Sequence, residues 1–270
     1  MPSGKRSKER RRVPSPPPVK GTPRQRRASP KVLVGAVVAL VVIAAGIGAA
    51  FAFTGGGSSS NANVPSVGSL TNALPGAARV NSLYKGIPQH GNVLGSPSAP
   101  VTLAEYVDLQ CPYCQEFETQ VMPSLVKKYV RTGKLKVQAR VLAFIGGPNG
   151  DSETGRRGAI AAGQQNKMFN FMELLYFNQG AENTGWLSEN MVEQAAASIP
   201  GLKVHQLLDA RNSSAVTKQQ QSFDALEAAD HVNQTPTLLV GKSGKALKPV
   251  AISSPTDEAS VVKAIDAALK

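Results

Sequence analysis

DLQCPYCQEF, residues 108–117, carries the only two cysteines of this 270-residue chain, Cys111 and Cys114, separated by Pro112 and Tyr113. A close pair with no other thiol reads as a structural disulfide, as half of a metal site, or as a redox couple that cycles. A disulfide across so short a span closes a very small loop, removes little chain entropy and stabilises poorly. Zinc takes four ligands, and His90, His205 and His231 stand singly with no second pair at ligand spacing. The residues around the pair favour the third reading.

VTLAEYVDL (residues 101–109) is an apolar run with β-branched and aromatic members, and it leads directly into Cys-Pro, as a buried strand ending at the cysteines would. Beyond them, Phe117, Val121, Leu125 and Tyr129 recur every four residues, a helical stripe in which Pro123 predicts a kink. Pro112 suits the first helical turn, where its missing N–H costs nothing. The cysteines therefore sit where a strand feeds a helix. Unsatisfied N–H groups and the positive end of the helix dipole at that mouth stabilise a thiolate at Cys111. Cys114, three residues on, is placed to attack a mixed disulfide formed at Cys111.

Compartment decides what such a pair can do. Residues 1–31 hold eleven Lys/Arg against one acid, Glu9, with prolines between them, and cannot bury a core. That tail accounts for most of the +12 charge of the chain: outside it, nineteen basic residues face seventeen acidic ones. With no aromatic residue in the tail, membrane topology and anionic lipid explain the charge better than nucleic acid does. Residues 32–53, VLVGAVVALVVIAAGIGAAFAF, are uncharged and long enough to span a bilayer as one transmembrane helix. The basic flank puts the N-terminus in the cytoplasm and the rest outside the cell membrane. The long basic region and long apolar run read as a retained signal anchor, although Ala50-Phe51-Ala52 offers a cleavage site. Residues 54–82 begin Gly/Ser/Asn-rich and read as a flexible linker, so ordered sequence is expected from Leu83 onward.

DLQCPYCQEF after a strand, with TPTLLV (residues 235–240) far downstream, resembles the thioredoxin superfamily, and the long segment between them resembles its DsbA-like branch. The likeness covers roughly residues 91–270. It implies an α/β thioredoxin fold over 83–270 with an inserted helical subdomain at about 151–230, and a protein disulfide oxidoreductase activity needing no cofactor. Residue by residue, it implies redox roles for Cys111 and Cys114, a cis-proline at Pro236 and peptide binding by Pro112, Tyr113, Thr235 and Pro236. Glu105, six residues before Cys111, falls where the family places a buried acid. Its company on the strand, Val101, Leu103 and Val107, suits a proton relay for Cys114 better than a solvent-facing acid. Gln234 departs from the Gly or Val usual in the family. The branch further implies unfolded or reduced secreted proteins as substrates and a quinone-linked integral membrane oxidase as recharging partner.

The function expected is thus an extracytoplasmic oxidase that introduces disulfides. Two alternatives remain beside it. The Pro-Tyr dipeptide, shared with the reductive glutaredoxins, also suits a membrane-tethered disulfide reductase, and the same groove could serve a non-catalytic peptide-binding holdase.

The remaining chain supports the inserted-helix reading. KLKVQARVLAFI (134–145) alternates as a half-buried strand, GGPNGDSET breaks it, and residues 156–178 are Ala-rich, then aromatic, at helical spacing. Leu187-Ser188 with Val192 marks an N-cap and staple, and Pro200-Gly201 a stop. Helices follow near 204–210 and 215–229, then a hairpin from TPTLLV through GKSG to ALKPVAI, and an amphipathic helix over 257–269.

Overall fold

A computed structural model describes residues 64–147 and 150–270. The tail 1–31, the apolar run 32–53 and residues 54–63 of the expected linker lie outside the described residues. Among the described residues, no helix is long and apolar enough to cross a membrane.

The fold is organised by β3 (Val101–Asp108), whose eight residues are all buried. It pairs in parallel with β4 (Leu135–Leu142), Val101 opposite Leu135, and antiparallel with β5 (Thr237–Lys242), Tyr106 opposite Thr237. A hairpin of β1 (Gln89–His90) and β2 (Val93–Leu94), for which the sequence reading had no element, extends the sheet beyond β4. β6 (Lys248–Pro249) closes the other edge, giving the order β1-β2-β4-β3-β5-β6. The expected strand ALKPVAI shrinks to these two residues, because Pro249 has no N–H to continue a ladder. Both faces of β3 are covered, so burial is continuous along it instead of alternating and takes in Thr102, Glu105 and Asp108. Tyr106, Phe117, Leu103 and Leu109 are fully enclosed, each worth roughly 1.5–3 kcal/mol of transfer free energy.

The helix after the cysteines is irregular: α2 (Pro112–Glu116), a π turn (Phe117–Val121), α3 (Met122–Leu125) and a second π turn (Val126–Val130). The kink expected at Pro123 takes this form. Proline offers no N–H to the carbonyl four residues back and crowds it, so the chain widens and Met122 N–H bonds Phe117 O instead. The widening also explains the strict four-residue stripe. On a regular helix of 3.6 residues per turn such a stripe drifts around the axis, whereas Phe117, Val121, Leu125 and Tyr129 all stay buried here.

The insertion is helical as expected: α4 (Asp151–Gly163), α5 (Met168–Phe177), α6 (Glu189–Ala197), α7 (Val204–Ala210) and α8 (Ser214–Ala229). Ser188 caps α6, its hydroxyl accepting from Met191 N–H, with Leu187 and Val192 buried beside it. Gly155 lets α4 approach the site, since a Cβ there would meet Leu187 Cδ2 at 2.5 Å and Leu109 Cδ1 at 3.0 Å. α9 (Glu258–Leu269), capped by Asp257, packs Val261 and Ile265 inward.

One boundary needs correction. Ordered sequence does not wait for Leu83: α1 (Ala77–Tyr84) buries Ala77, Val80 and Tyr84. Before it, Val67 bridges Lys203, and Gly68 and Ser69 donate to the carbonyls of Leu202 and Ala197. The i, i+3, i+7 spacing of Ala77, Val80 and Tyr84 is a helix signal that the Gly/Ser composition of the preceding stretch obscures.

Candidate active site

Cys111 is the N-cap of α2, with extended backbone (φ −70°, ψ 120°), and Pro112 occupies the first turn. Both cysteines are free and buried. Across from them, the Thr235–Pro236 peptide is cis, and the Cys111 thiol donates to Thr235 O at 3.4 Å. Antiparallel pairing of β5 with β3 creates this meeting of residues 124 positions apart: with Thr237 opposite Tyr106, the loop before β5 must arrive at the cysteine end of β3.

The two sulfurs differ sharply. Cys111 is held down at about 6, first by a hydrogen bond from the Cys114 thiol, with the Thr235 side chain and the backbone of Cys114 and Tyr113 assisting and burial opposing. Burial pushes the Cys114 thiol well above the usual range, and its bond to Cys111 and the Cys111 charge push the same way. One sulfur is thus built to ionise and the other to keep its proton. Alkylation of the reduced protein by iodoacetamide should therefore rise with pH to half its maximum near about 6 at Cys111, while Cys114 stays unmodified. Mass mapping of the alkylated peptides checks both halves.

The substrate-facing residues gather beside Cys111. Tyr113 is 59% exposed and, with Gln234, Thr235, Pro236, Ile252 and Pro255, lines an open groove of about 360 Å³. Pro112 lies exposed at the helix mouth. Glu105 is 0% exposed, so it is not a solvent-facing strand acid, and neither of its carboxyl oxygens has a fixed hydrogen-bond partner. Burial, then the charge of Glu118, raises its pKa well above the carboxylate range.

Several residues that position this site carried no signal in the sequence. Asp108, fully buried, ends β3: one carboxylate oxygen accepts from Gln110 N–H (2.8 Å) and Ser152 Oγ (2.6 Å). The other accepts from the Phe144 and Ile145 N–H groups at 2.8 and 2.9 Å. Gln179 donates to the carbonyls of Leu109 (2.9 Å) and Cys111 (3.2 Å), and Gln115 donates to Tyr176 O (2.9 Å). The insertion therefore grips the cysteine turn directly. On the other side, Tyr106 Oη and Arg140 Nη1 both donate to Asp230 Oδ2, at 2.6 and 2.7 Å, with the guanidinium stacked 4.8 Å over the Tyr106 ring. Asp230 follows α8 and precedes the loop to Pro236, so this part-buried clamp fixes where that loop starts.

Known proteins resemble this chain over most of the described residues. The family model described as Thioredoxin matches residues 89–267. A probable disulfide bond formation protein D of Bacillus cereus is 29% identical over 181 residues, spanning 66% of this chain and 78% of that protein. Oxidised BdbD from Bacillus subtilis superposes with a TM-score of 0.57 at 21% identity, over 68% of this chain and 97% of that one. A thioredoxin-like oxidoreductase from Silicibacter pomeroyi DSS-3 gives 0.52 at 27% identity, over 70% and 96%. Because the matched span runs from the first hairpin through the insertion into the last helix, the chain belongs to the thioredoxin family, as a protein disulfide oxidoreductase.

Proposed function

We propose that the chain is an extracytoplasmic oxidase, tethered to the cell membrane through residues 32–53, that introduces disulfides into secreted or envelope proteins. The observation that carries this reading is the opposed protonation of the two sulfurs, Cys111 held at about 6 and Cys114 raised. A thiolate that the fold stabilises is a good leaving group, so the reduced form is favoured and the disulfide is oxidising.

In the forward reaction a substrate thiolate attacks the Cys111 sulfur of the enzyme disulfide. The Cys111–Cys114 bond breaks, Cys114 leaves and takes up a proton, and a mixed disulfide links substrate to Cys111. A second substrate thiolate then attacks the substrate sulfur of that bond and releases Cys111 as a thiolate. The substrate has lost two electrons and the enzyme has gained them, so a quinone-linked membrane oxidase is proposed to remove them. Glu105, buried near the base of the cysteine helix, is assigned the proton exchange with Cys114. The cis peptide at Pro236, with Thr235 and Tyr113 beside it, offers backbone and an aromatic face to an extended substrate. The disulfide bond formation protein D of the Bacillus relative supports the direction chosen.

Equilibrating the full-length protein with glutathione redox buffers tests this. The expected potential lies well above that of thioredoxin, roughly −270 mV. A value at or below that figure makes the protein a reductase fed with electrons across the membrane, the reading that Pro112-Tyr113 also suits.

A further inference from the structure

Beneath the cysteine helix, three carboxyl side chains from three different elements converge in the dry interior: Glu105 on β3, Glu118 in the first π turn and Glu173 on α5. None is more than 2% exposed. Five of their oxygens, both of Glu105, both of Glu173 and one of Glu118, have no hydrogen-bond donor. Tyr84 of α1, 3% exposed, also has its hydroxyl buried without a fixed partner, and Glu173 is its nearest acid in electrostatic effect. α1 precedes the segment matched by the family model.

Ionised carboxylates without donors are strongly disfavoured in such a place, and protons shared between them are the remaining way to satisfy the oxygens. The groups facing the cluster offer little other relief. Arg79 of α1 favours charge on Glu173 from a distance, Asp108 is saturated by its four donors, and Tyr176 and Cys114 are themselves pushed upward by burial. The Tyr176 hydroxyl donates at 3.2 Å to the Asp108 carbonyl, the same carbonyl that accepts from Cys111 N–H, and the charges of Cys114, Glu118, Asp108 and Glu105 all push its pKa upward.

We propose that Glu105, Glu118 and Glu173 form one proton-sharing unit closed by Tyr84, and that this unit, not Glu105 alone, supplies the proton taken up when Cys114 leaves. The proposal rests on reading Cys111 and Cys114 as the redox couple. On the step in question the sulfur–sulfur bond breaks, Cys114 departs with the electron pair, and a carboxyl of the unit gives up the proton that neutralises it. The proton returns when Cys114 re-forms the disulfide. Protonated Glu105 donates to Glu118, whose own pKa is pushed up to about 8 by burial, so the last proton is held across the neutral range. Glu118 and Glu173 act through Glu105 and are positioning residues.

The test is single-turnover reduction of the oxidised full-length protein by dithiothreitol over pH 5–10, corrected for the thiolate fraction of the reagent. The wild-type rate should fall on the alkaline side, where the unit loses its last proton, since burial raises all three carboxyls and holds Glu105 well above the carboxylate range. Glu118→Gln removes the charge that most raises Glu105, so the falling limb should move down, read as a rate about tenfold slower at fixed pH on that limb. Glu173→Gln should move it the same way by less. Tyr84→Phe keeps the shape and removes only a donor that favours charge on Glu173, so the limb should move up. A merely structural cluster would lower the melting temperature of these variants without moving the limb. Superimposable profiles for wild type, Glu173→Gln and Tyr84→Phe overturn the proposal and return the proton exchange to Glu105 alone. A wild-type disulfide that dithiothreitol does not reduce at any pH overturns the redox reading beneath it.

Discussion

Replacing Cys111 with alanine will abolish thiol-disulfide exchange, and replacing Cys114 with alanine will leave the protein arrested in mixed disulfides. The asymmetry follows from the two sulfurs. At pH 7 a free cysteine is only about 3% thiolate, whereas a group titrating at about 6 is about 90% ionised, an advantage of about 30-fold before any help from substrate binding. The one other thiol, Cys114, is buried and keeps its proton, so it cannot replace Cys111 and the variant should fall to the uncatalysed background. Without Cys114 the nucleophile still attacks, but the resolving thiol is gone and adducts at Cys111 accumulate. Assaying insulin reduction or oxidative refolding of a reduced protein gives the first result, and non-reducing gels with peptide mapping give the second. Both substitutions are small, so their melting temperatures should stay within a few degrees of the wild-type reduced protein. Retained function in Cys111→Ala would point to a holdase built on the same groove.

Asp108→Ala should be the most damaging change that leaves both cysteines in place. It removes one buried carboxylate and leaves four donors, the N–H groups of Gln110, Phe144 and Ile145 and the hydroxyl of Ser152, with nothing to bond. Each stranded buried donor costs about 1–3 kcal/mol, and a vacancy large enough for water would recover part of that. A net loss on the order of 4 kcal/mol is expected, a large share of a typical total stability of about 5–15 kcal/mol. Urea denaturation of the reduced protein checks it: the midpoint should drop with an unchanged slope. Asp108→Asn keeps two acceptor lone pairs and should lose less. Activity should fall as well, because Cys111 N–H bonds the Asp108 carbonyl and the cysteine turn begins where that residue is anchored. A loss below about 1 kcal/mol would mean that the network around Asp108 is replaceable.

The cysteine turn could be read from ten residues because the signals that shape it are local. An apolar run long enough for a strand, a proline suited to a first helical turn and an extended N-cap between them leave the chain few alternatives at 101–116. The helix boundaries at 188, 204 and 257 are local in the same sense: a capping hydroxyl or carboxylate, or a change in apolar period, announces them. TPTLLV carried its meaning only beside the cysteines, and antiparallel pairing of β5 with β3 supplies that meeting.

What only the tertiary structure decided are the contacts between elements far apart in the chain. Nothing within ten residues of Glu118 says that it is buried: the π turns rotate it inward, and those turns answer to Pro123 and to packing. Glu173 sits in an aromatic stripe that reads as core, and Tyr84 in a stretch whose composition reads as a tether. Asp108 finds three of its four donors 36–44 residues away, and Arg140 meets Asp230 across 90. Periodicity tells how often a helix faces inward, but not which side chain meets which across a core. A cysteine couple is therefore a property of this sequence, and the protons that serve it are a property of the fold.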